Sequence, residues 1–293
     1  MSKPMSSATQ TNKPRVLVFD SGVGGLSVAR EIQQRLPGLP LVYASDNGFF
    51  PYGTKGEAEL IARVDLVIRS LLQRYPVDIL VIACNTASTL ALPYLRSHLD
   101  LPIVGVVPAI KPAAKLSRSG VIGLLATPAT VARPYTHELI REYAPQCDVI
   151  SLGSSELVQI AEQKLRGEII DHKRIAHITL QLMEHEKATQ MDVLVLACTH
   201  FPLLKEELSV YLPETVQLID SGEAIARRVE SLLGNTVPND NHFIENDFPE
   251  NNSIENTSIE NIAVFTKKTT EATRLVPALI HFNIHQIDYL DLQ

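Results

Sequence analysis

Two cysteines carry the chemistry this chain could perform. Cys84 ends the run Val77-Asp78-Ile79-Leu80-Val81-Ile82-Ala83 and is followed by Asn85-Thr86-Ala87-Ser88. Cys198 ends Met191-Asp192-Val193-Leu194-Val195-Leu196-Ala197 and is followed by Thr199-His200. Each run is apolar and rich in β-branched residues and leucine, the pattern of a parallel strand buried on both faces. Each gives way to hydrogen-bonding residues that suit a helix start. A thiol just ahead of a helix N-terminus sits where anions are favoured, so this setting predicts a lowered pKa and appreciable thiolate at neutral pH. Two such thiols at equivalent points of a repeat suit an acid and a base on opposite faces of one carbon. Inversion of a stereocentre by proton exchange is such a reaction: one thiolate removes the proton and the other thiol returns one from behind. The carbon acid is weak, so the pocket must stabilise the developing carbanion. A single buried cysteine would read as a small hydrophobe. The duplication favours chemistry, and Cys147, between Gln146 and Asp148, lacks any such setting.

Other candidates cluster at the same strand ends. His200 could polarise Cys198 or a substrate carboxylate, or simply cap a helix. Asp20 closes another apolar run and could assist a thiol, or form a capping pair with Ser21. Ser21, Asn85, Thr86, Thr127 and Thr199, with the backbone N–H groups beside them, make a cradle for carboxylates. Pro51-Tyr52-Gly53 reads either as a wall of the pocket or as a plain turn.

The elements that must position these residues alternate. Strands are expected at Arg15 to Phe19, Leu41 to Ser45, the first cysteine run and Ile103 to Val107, with helices over Val28 to Leu36, Glu57 to Tyr75 and Ala87 to Leu99. The pattern then begins again. Strands follow at Val121 to Ala126, Val149 to Leu152, the second cysteine run and Val216 to Ile219. Helices are expected from Thr127 to about Tyr143, over Glu156–Leu165 and Asp171–Glu186, and over Leu203 to Tyr211. Such alternation means right-handed parallel units. The fold class is therefore α/β: two pseudo-symmetric parallel-sheet domains, with ligands bound beyond the carboxyl ends of the strands. A helix over Glu223 to Leu233 precedes a polar, asparagine-rich stretch, 235–261, whose composition predicts a mobile loop. A strand at Ile262 to Thr266 and a helix from Glu271 to His281 close the chain, and this segment could return to the first domain.

The chain has 293 residues, 45% of them hydrophobic and 20% charged, which suits a globular protein of two domains. Its net charge of −7 argues against a nucleic-acid grip. No run approaches the ~20 apolar residues of a membrane span. Residues 1–14 are polar, without an apolar signal core, and read as a flexible tail. Three cysteines do not make a disulfide framework, so a cytoplasmic location is expected.

Taken together, Asp20-Ser21-Gly22-Val23-Gly24-Gly25-Leu26, Pro51-Tyr52-Gly53, Ala83-Cys84-Asn85-Thr86-Ala87-Ser88, Gly105-Val106-Val107-Pro108 and Ala197-Cys198-Thr199-His200 resemble the ordered motif set of the glutamate racemases. The resemblance covers Arg15 to about Asn235. It implies a cofactor-independent isomerase that supplies D-glutamate for peptidoglycan. Carried over residue by residue, it implies that Cys84 and Cys198 are the proton donor and acceptor pair, Cys84 acting on the D- and Cys198 on the L-enantiomer. Asp20 and His200 match the residues that assist them. Asp20-Ser21, Tyr52-Gly53, Asn85-Thr86 and Thr199-His200 match substrate-binding pairs, and Thr127 and Thr130 match threonines near the substrate carboxylate. A family glutamate falls on Glu162 by spacing, with Glu156 as the neighbouring alternative. The family's split implies a first domain of 15–110 plus 221–293 and a second of 111–220, with the active site in the cleft between them. Glutamate is the implied small-molecule partner. A homodimer, and control by a peptidoglycan precursor as in some relatives, are the other partner expectations, though no residue here points to a precursor site. The asparagine-rich insertion and Thr266-Lys267-Lys268 depart from the family pattern.

Three other readings compete. Gly22, Gly24 and Ser27 after a strand, with Asp46 at the next strand end, partly fit a dinucleotide-binding turn. Cys84, Cys198, His200 and Asp20 are ligand types that suit zinc, but without a close-spaced second pair. A two-lobed solute-binding protein would require an export signal. Within the same chemistry, an aspartate racemase would need a pocket shorter by one methylene, a difference worth only ~1–3 kcal/mol.

Overall fold

The computed structural model describes residues 13–234 and 261–292. The expected tail at 1–14 and loop at 235–261 fall outside them, apart from Lys13, Pro14 and Asn261. Asn261 does not belong to a loose segment: it is buried, and its side chain accepts from the Leu41 N–H at 3.0 Å and donates to the Asn283 carbonyl at 2.8 Å.

The first half runs β1 (Val16–Asp20), α1 (Leu26–Arg35), β2 (Leu41–Ser45), α2 (Glu57–Arg74), β3 (Ile79–Ile82), α3 (Asn85–His98) and β4 (Ile103–Gly105). The second runs α4 (Ile110–Leu116), β5 (Val121–Ala126), α5 (Pro128–Val131), α6 (Pro134–Tyr143), β6 (Asp148–Gly153), α7 (Glu156–Leu165), α8 (His172–Met183), β7 (Val193–Leu196), α9 (Lys205–Ser209) and β8 (Gln217–Ile219). Then come α10 (Gly222–Gly234), β9 (Ile262–Phe265), α11 (Thr270–Arg274), α12 (Val276–His281) and β10 (Gln286–Tyr289).

One sheet has the order β10-β9-β2-β1-β3-β4 and the other β6-β5-β7-β8, with every pairing parallel. The four-strand order β2-β1-β3-β4 thus recurs as β6-β5-β7-β8, which is the duplication visible in the cysteine runs. The closing strands β9 and β10 extend the first sheet beyond β2. Helix α10 packs its Ile225 and Val229 into the core that holds α1.

The inner strands of both sheets, β1, β2, β3, β5 and β7, are buried on both faces, as parallel strands must be when helices cover them. In β1 the period-2 alternation sends Val16 and Val18 into one core and Leu17 and Phe19 into the other. In the second sheet Leu194 and Leu196 enter one core while Val193, Val195 and Ala197 enter the other.

Several elements differ from the sequence expectation, and proline explains two of them. The helix expected from Thr127 to Tyr143 is two. Thr127 caps α5, its hydroxyl accepting from the Thr130 N–H at 3.3 Å, and Pro134, which has no N–H to continue the ladder, starts α6. Pro277 likewise splits the expected final helix into α11 and α12. The helix expected over Leu203 to Tyr211 is a 3-10 turn, Phe201–Leu204, followed by the short α9. Helix α4 and strand β10 were not expected, being short and broken by polar residues. Among the described residues no helix is long and apolar enough to cross a membrane.

Candidate active site

Parallel register places the reactive strand ends side by side. β1 pairs with β3 so that Phe19 stands opposite Ile82, and Asp20-Ser21 therefore emerge next to Ala83-Cys84. Cys84 is the N-cap residue of α3, whose first turn carries Asn85 and Thr86. In the second sheet Leu125 stands opposite Leu196, so Thr127 emerges near Cys198. The carboxyl ends of the two sheets face one cavity of about 390 Å³ between the lobes. Ser21, Tyr52, Gly53, Cys84, Asn85 and Thr86 line it from one lobe, and Thr127, Thr130, Cys198, Thr199 and His200 from the other. Both sulfurs therefore open onto the same space.

Asp20 and Glu162 stand behind that wall. The Thr199 hydroxyl donates to Asp20 Oδ2 at 2.9 Å, and the Gly22 N–H donates to Oδ1 at 2.8 Å. His200 Nε2 lies 2.9 Å from Glu162 Oε1, which also accepts from the Val23 N–H at 2.9 Å. His200 Nδ1 lies 3.8 Å from Cys198 Sγ. The relay Glu162–His200–Cys198 in one lobe thus faces Asp20–Ser21–Cys84 in the other, where the Ser21 hydroxyl is 3.6 Å from the Cys84 sulfur. Of the two glutamates open on spacing, Glu162 reaches the imidazole. Glu156 does not line the cavity and pairs with Arg174 of α8 instead.

The glycine-rich turn after β1 is a seat for the opposite lobe. A Cβ on Gly22 would run into Glu162 Oε1 and the Phe50 ring, and one on Gly24 would overlap His200 Nδ1 and Thr199 Oγ1. The space a dinucleotide pyrophosphate would need is thus filled by this chain's own side chains. Ser27, in place of the third glycine, donates to the Gly24 carbonyl at 2.8 Å and to the Thr199 carbonyl at 2.9 Å, tying the lobes together. Gly24→Ala is expected to cost ~1–3 kcal/mol by overpacking and to lower turnover further by displacing His200. A denaturant melt and an activity assay on the same preparation check this. As for zinc, among the described residues no three His, Cys, Asp or Glu side chains converge as a ligand set.

Electrostatics correct one expectation. Burial pushes the Cys84 thiol up to about 12, and the Asp20 charge adds to this against the Ala87 N–H and the Ser21 hydroxyl. The helix N-terminus does not lower it, because desolvation of a fully buried sulfur outweighs one end of a helix dipole. Burial also raises Asp20 above the usual carboxylate range, despite the His200 charge and the hydrogen bonds from Gly22 and Thr199. At His200 burial opposes charging, but the hydrogen bonds and charges of Cys198 and Glu162 prevail and hold the imidazole well above its ordinary value. An imidazolium beside Cys198 faces a neutral thiol at Cys84, an asymmetric pair of the kind that can take a proton on one side and give one on the other.

The wall formed by Tyr52 is held from below. The Tyr52 hydroxyl donates to Asp46 Oδ2 at 2.8 Å, and fully buried Asp46 also accepts from Arg63 at 2.7 and 2.9 Å and from the Thr266 hydroxyl at 2.6 Å. The Phe50–Pro51 peptide bond of this loop is cis. Arg63→Met would strand a buried carboxylate, and the expected cost is ~3–5 kcal/mol in a denaturant melt. Sequence reasoning missed Phe50, Ser155, Val158 and Gln159, which also line the cavity. For Ser155, Val158 and Gln159 no motif could have found them, since they arrive by the docking of α7. Asn85 Oδ1 is buried without a hydrogen-bond partner at the cavity wall, an acceptor suited to a substrate ammonium group.

Two parallel-sheet lobes with a thiol from each in their shared cleft define a class. The chain belongs to the Asp/Glu/hydantoin racemase family, whose model matches residues 23–229. Within it, the chain is 55% identical over 227 residues to the glutamate racemase of Pectobacterium atrosepticum, covering 76% of this chain and 78% of that one. It is 47% identical over 291 residues to the glutamate racemase of Escherichia coli O157:H7, covering 98% and 95%. The crystal structure of Escherichia coli glutamate racemase in complex with L-glutamate and the activator UDP-MurNAc-Ala superposes with a TM-score of 0.86 at 45% identity, covering 96% of this chain and 100% of that one.

Proposed function

We propose that this chain interconverts L- and D-glutamate by a two-base mechanism in which Cys84 and Cys198 exchange one proton each with Cα. The observation that carries the reading is that a thiol from each lobe opens onto a single cavity. With L-glutamate bound, the Cys198 thiolate, stabilised by the His200 imidazolium and through it by Glu162, takes the Cα proton. The Cys84 thiol then delivers its proton to the opposite face, giving D-glutamate and leaving a Cys84 thiolate. The reverse reaction runs the same steps backwards. Asp20 holds Thr199 and acts on Cys84 through its charge. Thr127, Thr130, Asn85, Thr86, Ser21 and the Tyr52-Gly53 wall orient the carboxylates and ammonium by hydrogen bonds. In that reverse direction the Cys84 thiolate is the base, and its high proton affinity suits so weak a carbon acid, because the driving force for proton transfer grows with the pKa of the base. The steps draw on no cofactor.

The test is circular dichroism of L-glutamate in deuterated buffer, without pyridoxal phosphate and with L-aspartate run alongside. Loss of optical activity with deuterium at Cα is expected for glutamate. Retention of rotation, or faster turnover of aspartate, would overturn the reading. The proposal includes activation by a nucleotide-linked peptidoglycan precursor, supported by the activator bound to the Escherichia coli relative. It also places the chain in the cytoplasm, a setting its three free cysteines fit.

A further inference from the structure

The chain of charges behind Cys198 does not end at Glu162. Both hydrogen bonds of this carboxylate fall on Oε1, which accepts from the Val23 N–H and meets His200 Nε2, each at 2.9 Å. Its other oxygen, Oε2, faces Arg166 Nη1 at 3.6 Å, an ion pair beyond hydrogen-bond length. Arg166 closes the C-terminus of α7 one turn after Glu162, and its N–H donates to the Glu162 carbonyl at 3.2 Å. The two side chains are only 16% and 12% exposed, so water screens the pair far less than it would on a surface. Neither residue lines the cavity that holds the two sulfurs. Both line an adjoining cavity of about 420 Å³, which shares Phe50 and Gln159 with the first. Two further carboxylates face the guanidinium. Glu168 accepts from Arg166 Nε at 2.7 Å and also reaches Arg274 at 3.7 Å. Its side chain is 34% exposed, so solvent shares its charge. Glu271 of α11 is exposed and feels Arg166 only through longer-range charge. Of the three, Glu162 is the most deeply buried.

Why the site needs a cation there follows from the proton that His200 and Glu162 share. Two distributions compete: imidazolium with carboxylate, or neutral imidazole with carboxylic acid. Only the first supports a thiolate at Cys198. A positive charge against Oε2 favours it, because the imidazole is bonded through Oε1 and stands on the other side of the carboxylate. We infer that Arg166 is a positioning residue for the Cys198 arm: its charge backs Glu162, so the shared proton stays on the imidazole beside the thiolate. The inference rests on the racemase reading above and extends the arm by one residue that never touches substrate.

Enantiomers are equal in free energy, so kcat/KM for racemisation must fall equally in both directions whichever arm is damaged. The arms are separated with L- and D-configured glutamate analogues that carry a leaving group on Cβ. Loss of the Cα proton to one thiolate then expels that group, and the other thiol is not needed. In Arg166→Met, elimination from the L-analogue is expected to slow about 10-fold, the effect of one opposite charge within ~4–6 Å. Elimination from the D-analogue, which uses Cys84, should stay within about twofold, as should KM for glutamate, since Arg166 lies outside the substrate cavity. Arg166→Lys, which keeps the charge, should remain within about threefold of wild type on the L-analogue. Arg166→Gln, which keeps a donor for Glu168 but no charge, should lose as much as Arg166→Met. Equal losses on both analogues, an unaffected L-arm, or Arg166→Gln as active as Arg166→Lys would overturn the inference. Should Arg166→Met fail to fold, the comparison of Arg166→Gln with Arg166→Lys decides the matter alone. A wild type that does not racemise glutamate would defeat the functional reading itself, whereas an active wild type with indifferent Arg166 variants defeats only this inference.

Discussion

Cys84→Ser and Cys198→Ser are each expected to reduce interconversion of L- and D-glutamate by at least about 10³-fold while leaving the fold intact. Serine is nearly isosteric at these buried positions, but its hydroxyl ionises far above any thiol and cannot serve as a base toward a carbon acid. The losses should be one-sided in character. Cys84→Ser keeps the Cys198–His200–Glu162 arm, so it should still abstract a proton from an L-configured analogue bearing a good leaving group and expel that group. Cys198→Ser should do the same only with the D-configured analogue. Both results come from following elimination and Cα deuterium exchange separately for the two enantiomers. Turnover at the wild-type rate in both directions by either variant would end the two-base account.

Asp20→Asn is expected to lower turnover by about 10²-fold and to move the ionisation of Cys84. The sign follows from charge. Burial raises the Cys84 thiol to about 12 and the Asp20 carboxylate adds to the rise, so removing that negative charge makes the thiolate less costly and its pKa falls. Ultraviolet thiolate absorbance against pH, and the alkaline limb of kcat/KM, should both shift to lower pH in the variant. Turnover falls even so, because a thiolate that forms more readily is a weaker base toward Cα, and because Asp20 no longer accepts from both Thr199 and Gly22 in the same geometry. An upward shift, or none, would mean that Asp20 serves the Thr199 contact alone. The two predictions are separable: serine variants remove the proton carrier, whereas Asp20→Asn retunes it.

Much of the frame was legible because it rests on local patterning. β2 and β5 were read at their observed bounds from apolar runs, and the recurrence of the cysteine strand exposed the duplicated strand order. The short or interrupted elements were not legible. α4, β10 and the breaks at Pro134 and Pro277 contain too few residues for a period to stand out against turn signals. The choice between Glu156 and Glu162 shows the limit at the site. Both lie on α7, but six residues of helix place them about 120° apart around its axis. Only the packing of α7 against the turn after β1 decides that Glu162 meets His200 while Glu156 faces Arg174.

The chain order by itself determined that two thiols would end equivalent buried strands, because the strand pattern and the cap residues beside it are written into adjacent positions. It also determined that hydroxyls and amides would gather at the same edge, since parallel strands all finish on one side. Only the tertiary structure decided how those thiols behave. Burial outweighs the local helix terminus at Cys84, and desolvation depends on residues remote in sequence that no local pattern encodes. It likewise turned the glycine loop into a seat for His200, because two surfaces more than 170 residues apart along the chain meet there.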